Sequence, residues 1–589
     1  SAPKFTATTR NSALILDPTT GDIVSGPTVS EISNAQGYAE TALAVEAARA
    51  LVHGVGSSDP YDANAGGTNR RIQNLAAGVN PNDAATIAQV TATAAEISVQ
   101  RVAPSLFSSL ATFGVSNIYG CTAPGHAFYT ADIEAIFDVK YNALGGGSDA
   151  WVDWENGLDT NAGTFRAPVK TVKKAMQLGG RNIWLLGGAS LEIPDWTASD
   201  GAVSGGELAR AIKIRSVTPR FRFRNPGQQP SEMTWTADTA PGYTNLYEAI
   251  PSGLEAVDRV IYKEVVGTTL ENGNLVNEYK EQLVPYFDTR DGANNNLYGF
   301  YQDPTTKEIS IRWRDQNVET LKGNFEIIYE GSQAKIGGAL LFLENIQFWG
   351  LSNFEMSYGS AGATTDRPIV FARNCEWIYG NGSLAYGFKN YGGLFIAHRC
   401  AFLRNGFDGI NSDPDDVTRG NTTTEPVNIE LDCEYSRNGW LGGKTITNYV
   451  AANPGVRNIQ GASHHQGLVL RVNGNADGNL GQNYADTQNT ATGATWMLGC
   501  ISGSPQADQF TGLTAVASPI PDDVFNTPYV GIEVQSANSW LDTCMSGGAD
   551  TSVGLQAVNG AKTFGCYLDG STSATVGTIT PYSPTAPDA

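Results

Sequence analysis

Six cysteines in the C-terminal half of the chain, Cys375, Cys400, Cys433, Cys500, Cys544 and Cys566, sit in short runs that rhyme: FARNCEWI, IAHRCAFL, IELDCEYS, WMLGCISG, WLDTCMSG and TFGCYLDG. Each sulfur falls in an alternating apolar stretch, the pattern of a strand with one buried face. The intervals are 25, 33, 67, 44 and 22 residues. They read as roughly one, one and a half, three, two and one units of about 22 residues. Three runs close on Asn-Gly, at Asn381-Gly382, Asn405-Gly406 and Asn438-Gly439, which is turn chemistry because both residues tolerate positive φ. One strand and one turn per unit specify a β-solenoid, with about nine coils between Cys375 and Cys566. At roughly 4.8 Å per stacked strand that stretch is on the order of 40 Å long. Inside such a coil the cysteines stack as small apolar residues. No C-x-x-C spacing supports a metal site, and no metal or cofactor is called for.

Composition fits this reading. Charged residues are only 16% of the 589 and glycines number 66, which excludes long charged helices as the main architecture and favours many turns. Asp and Glu total 59 against 38 Lys and Arg, a formal charge of −21. That field repels phosphates, so neither nucleic acid nor an anionic membrane is an expected partner. No basic stretch followed by an apolar run opens the sequence and no 18-residue apolar segment occurs, so neither a signal peptide nor membrane insertion is expected.

The remaining segments differ in texture. Residues 1–120 read as a stem with short helices at Gly37–His53 and Asp83–Val102. In the latter Ile87, Val90, Ala94, Ile97 and Arg101 recur at intervals of 3, 4, 3 and 4, a seam that suits a core helix face and a coiled coil equally. After Pro104 a second short helix is expected over SLFSSLATFG. Residues 121–186 read as a connector in which Pro168 opens a helix, with Val169, Val172, Ala175 and Met176 on one face and Gly179-Gly180 as its stop. That helix would cap the open end of the solenoid. The solenoid itself is placed at 187–575, with a hairpin-rich insertion at about 216–335 marked by the Asp303-Pro304-Thr305-Thr306 turn, and a tail at 576–589.

Carboxylates concentrate in FDGINSDPDD, where Asp408, Asp413, Asp415 and Asp416 lie within nine residues. The interval between cysteines swells there, so the extra residues bulge from the coil as a loop. Glu434, beside Cys433, points outward on the next strand. Paired carboxyls across a scissile bond are what glycoside hydrolysis needs, one protonated and one ionised. The same segment reads equally as a solvated turn or a calcium loop, although its order is not that of an EF-hand. His464 and His465 fall in the same half, with His465 able to orient a carboxylate or a sugar hydroxyl and Arg471 able to clamp a substrate carboxylate, unless Arg471 pairs with Asp477 or Asp486. Trp377, Tyr379, Trp440 and Tyr484 are expected on outward or loop positions, where rings stack on sugars, whereas Phe342 and Phe402 belong to the core. Gly145-Gly146-Gly147 lacks the context of a phosphate loop, and no G-x-S-x-G elbow is present.

Two stretches carry a resemblance. Residues 69–90, NRRIQNLAAGVNPNDAATIAQV, resemble the stem repeat of trimeric bacteriophage tail fibres. Residues 461–500 are similar to a stretch of tailspike depolymerases, with Ser463 and His465 in a turn, Arg471 on a strand, Asn483 and Asp486 in a second turn, and Leu498 to Cys500 closing the coil. The resemblance implies an all-β dominated fold, a right-handed parallel β-helix of pectate-lyase-like type with a small α-helical N-terminal stem, assembled as a homotrimer. It also implies a virion tail protein, attached to the phage tail or baseplate through its N-terminus and acting outside the host on capsule, O-antigen or exopolysaccharide. It hands over no catalytic signature. The expectation is therefore an endo-acting hydrolase using Asp408, Asp413, Asp415, Asp416, Glu434 and His465, with Trp377, Tyr379, Trp440, His464, Arg471, Asp477, Tyr484 and Asp486 binding substrate. A lyase using His465, Tyr484 and Arg471, and a glycan-binding fibre without activity, are the alternatives.

Overall fold

A computed structural model describes residues 12–16, 23–28, 98–109, 114–121, 125–143, 147–196, 211–217, 220–253, 256–271, 274–331, 333–337, 340–357, 368–381, 386–413, 425–439, 444, 459–487, 493–504, 529–547, 553–569 and 573–588. The chain forms two compact units. One comprises 1–97 with 265–280, the other 98–264 with 281–589. In the first, strands Ser12–Leu16 and Ile23–Thr28 pair antiparallel. The expected helix at Gly37–His53 lies outside the described residues. Of the helix expected at Asp83–Val102, residues 83–97 lie outside the described residues, and Ser98–Gln100 is instead a strand paired with Val115–Cys121.

The second unit is a parallel β-helix of three faces. Face A stacks Ser352–Ser357, Phe388–Tyr391, Ile410–Asp413, Ala462–His464, Tyr484–Asp486 and Val530–Val534. Face B carries the next strand of each coil, and its register runs Glu344, Arg373, His398, Leu431, Val472, Leu498, Asp542, Phe564. Face C is a ten-stranded sheet of short strands from Ala189–Ser190 to Tyr567–Leu568. That register corrects the period of 22. From Arg373 to Phe564 there are six coil steps, of 25, 33, 41, 26, 44 and 22 residues. The 67-residue interval is two coils because Gly474 fills the cysteine slot, and the long steps are single coils carrying loops.

The cysteines do stack inside. Cys375, Cys400, Cys433, Cys500 and Cys544 are buried and unpaired, and Cys433 donates its S–H to Leu431 O. The residue before each cysteine is left-handed, at Asn374, Arg399, Asp432, Gly499, Thr543 and Gly565, and so are Asn345 and Asn473 before Ile346 and Gly474 at the same slot of other coils, with φ between 49° and 59°. One such residue per coil turns face B into face C. Of the Asn-Gly pairs, Asn438-Gly439 takes the expected positive φ at its glycine (74°), and Gly382 lies outside the described residues. Arg404 and Arg437 take a positive φ as well (53° and 59°), while the asparagines that follow face inward as a ladder. Asn405 Nδ2 donates to Asn438 Oδ1 and Asn438 Nδ2 to Asn479 Oδ1, each at 3.0 Å. Buried amides stay because each satisfies its neighbour.

Large rings fill the rest of the interior. Phe348, Trp377, Phe402 and Tyr435 stack at 5.3, 5.0 and 5.4 Å between centroids. At the N-terminal end Thr171 caps helix Val172–Gln177, and Val172, Ala175 and Met176 join the same core.

Faces B and C are covered in part. The described residues of 101–109, 114–121 and 125–143 lie against face B. Arg101 grips Asp542 by two hydrogen bonds, Phe107 packs on Trp496 and Trp540, and Tyr129 donates to Asp432 at 2.7 Å. Helix Ile133–Ala143 sets Phe137 against Phe342 and Phe371, and its Glu134 pairs with Arg215 and Arg373. Of the short helix expected after Pro104, the described residues form a 3-10 turn, Ser105–Phe107. The antiparallel insertion lies between strands Phe221–Arg224 and Gln333–Gly337. It covers face C through Ile261, Leu283 and Ile328 against Trp349, Ile378 and Tyr379, and through Glu281 paired with Lys263 and Arg404.

Candidate active site

Strand alternation on face A sorts the polar residues into two sets. Phe388, Ile410, Ala462 and Tyr484 point inward and share one row of the ladder, and so do Asn390, Ser412, His464 and Asp486. Lys389, Asn411 and Ser463 form the outward row between them, with Tyr391, Asp413, His465 and Thr487 outward at the strand ends.

The inward set forms a closed ionic network with two inward residues of face B. His464 contacts Asp486 Oδ1 at 3.0 Å and Glu430 Oε1 at 2.8 Å. Arg471 Nε lies 2.9 Å from Glu430 Oε2 and its Nη1 lies 3.3 Å from Asp486 Oδ2. The guanidinium also sits over the Tyr484 ring at 4.7 Å, and Tyr435 Oη donates to Glu430. All four charged side chains are fully buried. Burial alone would raise Glu430, but Arg471 and His464 pull it down to about 2. For His464, burial is outweighed by Glu430 and Asp486, and the ring is raised.

The outward placement expected for several residues is therefore not observed. His464, Arg471, Tyr484 and Asp486 face the interior, where no polymer reaches them. Trp377 and Tyr379 are buried as well, one in the aromatic stack and one under the insertion, where its hydroxyl donates to Glu281. Each is a consequence of packing: the ring or charge fills a slot inside the coil and its polar atoms are met by neighbours. Glu434 and Asp477 are exposed but on face C, so they do not join the face A carboxylates. Asp415, Asp416 and Trp440 lie outside the described residues.

The outward set brings together Asp408, Asp413 and His465 with residues that sequence reasoning missed. Asp408 is 1% exposed. Its Oδ1 accepts from Gln460 N at 2.7 Å and its Oδ2 from Asn411 Nδ2 at 3.0 Å. Burial pushes its carboxyl up to about 7, against the pull of those two donors and of Lys389. Asp413 instead receives Lys389 Nζ at 2.7 Å, and that ammonium lies over the rings of Tyr386 and Tyr391 at 4.1 and 4.8 Å. His465 Nε2 lies 3.1 Å from Ser463 Oγ, 3.3 Å from Asn411 Nδ2 and 3.8 Å from Asp413 Oδ1, while Nδ1 lies 2.7 Å from Thr487 Oγ1. Burial holds the ring below its ordinary value. The His465 and Asp413 side chains are 38% and 28% exposed and form the solvent-facing edge of the cluster.

Two carboxyls in contrasting surroundings, one buried and raised toward neutrality and one at the solvent edge in contact with a lysine, are the arrangement that acid and base catalysis uses. Lys389, Asn411 and Thr487 carried no motif. Their signal was positional, since each falls on an outward slot of face A once the register is known.

No family profile and no curated protein matches the chain. Among solved structures it is similar to XylC in complex with xylose, at 10% identity over 71% of this chain and 69% of that one with a TM-score of 0.37. It is also similar to pectate lyase Pel9A, at 14% identity over 73% and 79% with a TM-score of 0.27. A third is the tailspike protein gp49 from Pseudomonas phage LKA1, at 10% identity over 69% and 71% with a TM-score of 0.15. Likenesses this distant leave the functional reading to the chain's own geometry.

Proposed function

We propose that this protein binds a surface polysaccharide along face A and hydrolyses it within the chain. Asp413 takes a proton from the attacking water, and the Asp408 and His465 side of the cluster gives one to the leaving glycosidic oxygen. The observation that carries this reading is the contrast between Asp408, protonated to about pH 7, and Asp413, ion-paired to Lys389. The 59 acidic residues against 38 basic ones favour a neutral or weakly charged glycan. The resemblance of residues 69–90 and 461–500 to phage fibres and tailspikes supports placing the protein as a homotrimer on a virion tail, acting on a bacterial surface polysaccharide. Incubation with such a polysaccharide, followed by chain length and reducing ends, tests the reaction. Loss of cleavage in Asp408→Asn and Asp413→Asn with the assembly intact supports it, and full rates in both overturn it. A product with a new ultraviolet-absorbing double bond supports instead a lyase, the second reading, which His465 favours because its ring is half-exposed and held neutral. Bound but uncut polymer would make the protein a receptor fibre.

A further inference from the structure

Asn411 occupies an unusual position. Its single amide nitrogen faces two titratable groups at once, Asp408 Oδ2 at 3.0 Å and His465 Nε2 at 3.3 Å. The side chain is 2% exposed, and its Oδ1 is buried with no hydrogen-bond partner. A buried, unmet carbonyl costs about 1–3 kcal/mol, so this orientation is held by what the nitrogen does. It donates one hydrogen to each neighbour, which requires that both present a lone pair. This orientation suits an ionised Asp408 and a His465 bare at Nε2, where Ser463 Oγ also lies at 3.1 Å, with the one ring proton directed from Nδ1 to Thr487 Oγ1.

Protonating either neighbour sets a donor against a donor. Rotating the amide by half a turn removes the conflict, because Oδ1 then stands between the two groups and accepts from both. It also gives the orphaned oxygen its partners. In that orientation a carboxylic O–H on Asp408 and an N–H on His465 Nε2 are both satisfied, whereas a carboxylate or a bare Nε2 would face the carbonyl oxygen. We infer that Asn411 is a positioning residue that makes Asp408 and His465 gain and lose protons together, by rotating between an amide-nitrogen state with both groups bare and an amide-oxygen state with both protonated. Two protons enter from solvent through the exposed His465 edge, and the pair changes from one negative charge to one positive charge.

Electrostatics alone predicts the opposite. An ionised Asp408 would favour a charged His465, spreading the two titrations apart. The other charged groups facing the pair are Lys389, Asp413, His464 and Asp486. Lys389 is tied to Asp413, and His464 and Asp486 are tied to each other and to Arg471, so these charges form a fixed background. The inference deepens the proposed reaction, since a co-protonated pair would arm His465 as the solvent-facing acid. Its test needs no glycan.

The experiment is an NMR titration of the full-length protein with selectively labelled histidine rings and aspartate carboxyls, following the His465 and Asp408 signals from acid to alkaline pH. The expected result is one shared midpoint for both signals, with a Hill coefficient above 1. In Asn411→Leu, which keeps a similarly branched side chain without an amide, each signal returns to its own midpoint with a coefficient of 1. Separate midpoints in the natural protein overturn the inference, whether or not the variant folds. A failure to cleave polysaccharide would bear on the reaction and leave the titration result standing.

Discussion

Arg471 lies one coil beyond Glu430 in the face B ladder, and the two pair inside the coil, Nε to Oε2 at 2.9 Å with no solvent exposure on either side chain. The neighbouring coils put Ala397, Met497 and Leu541 at the same level. An ion pair thus replaces an apolar contact at two steps of an otherwise apolar row. Removing one partner leaves the other charge buried and unpaired. Arg471→Met is expected to destabilise the fold by about 3–5 kcal/mol, read as a fall in the denaturant midpoint. Pairing Arg471→Met with Glu430→Leu should recover much of that loss. A single variant as stable as the natural protein would contradict the network.

The same network sets a pH window. Glu430 is lowered from 4.5 to about 2 and Asp486 is lowered too, so their contribution is complete above about pH 4.5 and fades as pH falls toward 2. His464 is raised above 6.5, so its contribution is complete below that value and fades as pH rises through the raised one. The network's own contribution should therefore be greatest between about pH 4.5 and 6.5, read as the thermal-midpoint difference between the natural protein and Arg471→Met at each pH. His464→Gln should flatten the alkaline side of that curve and weaken its acid side, since His464 helps to lower both Glu430 and Asp486.

Much of this architecture was legible in the sequence, but the sorting of inside from outside was not. The cysteine runs showed stacked strands with the sulfurs inward because a small apolar residue at a repeated slot has one packing role. The coil length misled, since loops of up to about twenty residues leave the ladder unchanged and the Gly474 slot has no sulfur to mark it. Arg471 and His464 looked like ligand-binding groups because charge in a strand ordinarily faces water. Counting back from the cysteine slot would have corrected Arg471, which sits three residues before Gly474, as Ala397 sits three before Cys400 and Met497 three before Cys500. Asp408 and Asp413 were legible as a concentration of carboxylates. Lys389, 24 residues before Asp413, was not, because only the stacking of coils makes them neighbours.

Cleavage should fall as pH rises through about 7, where Asp408 loses its proton, if that proton feeds the leaving group. Asp408→Asn should lower the rate by about 100-fold or more and abolish that alkaline limb. Lys389→Met removes the ammonium that holds the Asp413 carboxylate in place at 2.7 Å and should lower the rate. A rate profile flat from pH 5 to 9 in the natural protein would separate Asp408 from the chemistry.

The asparagine ladder makes its own demand on the backbone beside it. A side-chain carbon at Gly409 would come within 2.5 Å of Gly461 O and 2.7 Å of Asn438 Nδ2, and one at Gly461 within 2.7 Å of Asn479 Nδ2. The glycines on face A thus clear the space that the amides fill, and the two features stand or fall together. Asn438→Ala strands the Asn405 and Asn479 partners and should cost about 1–3 kcal/mol. Gly409→Ala pushes directly on the Asn438 amide and on backbone that cannot yield, so it should destabilise by a similar or larger amount. Because both changes act on the same contacts, the double variant should lose less than the two single losses combined, and denaturant midpoints of all four proteins measure the difference. Additive losses would mean that the glycine row and the ladder are independent.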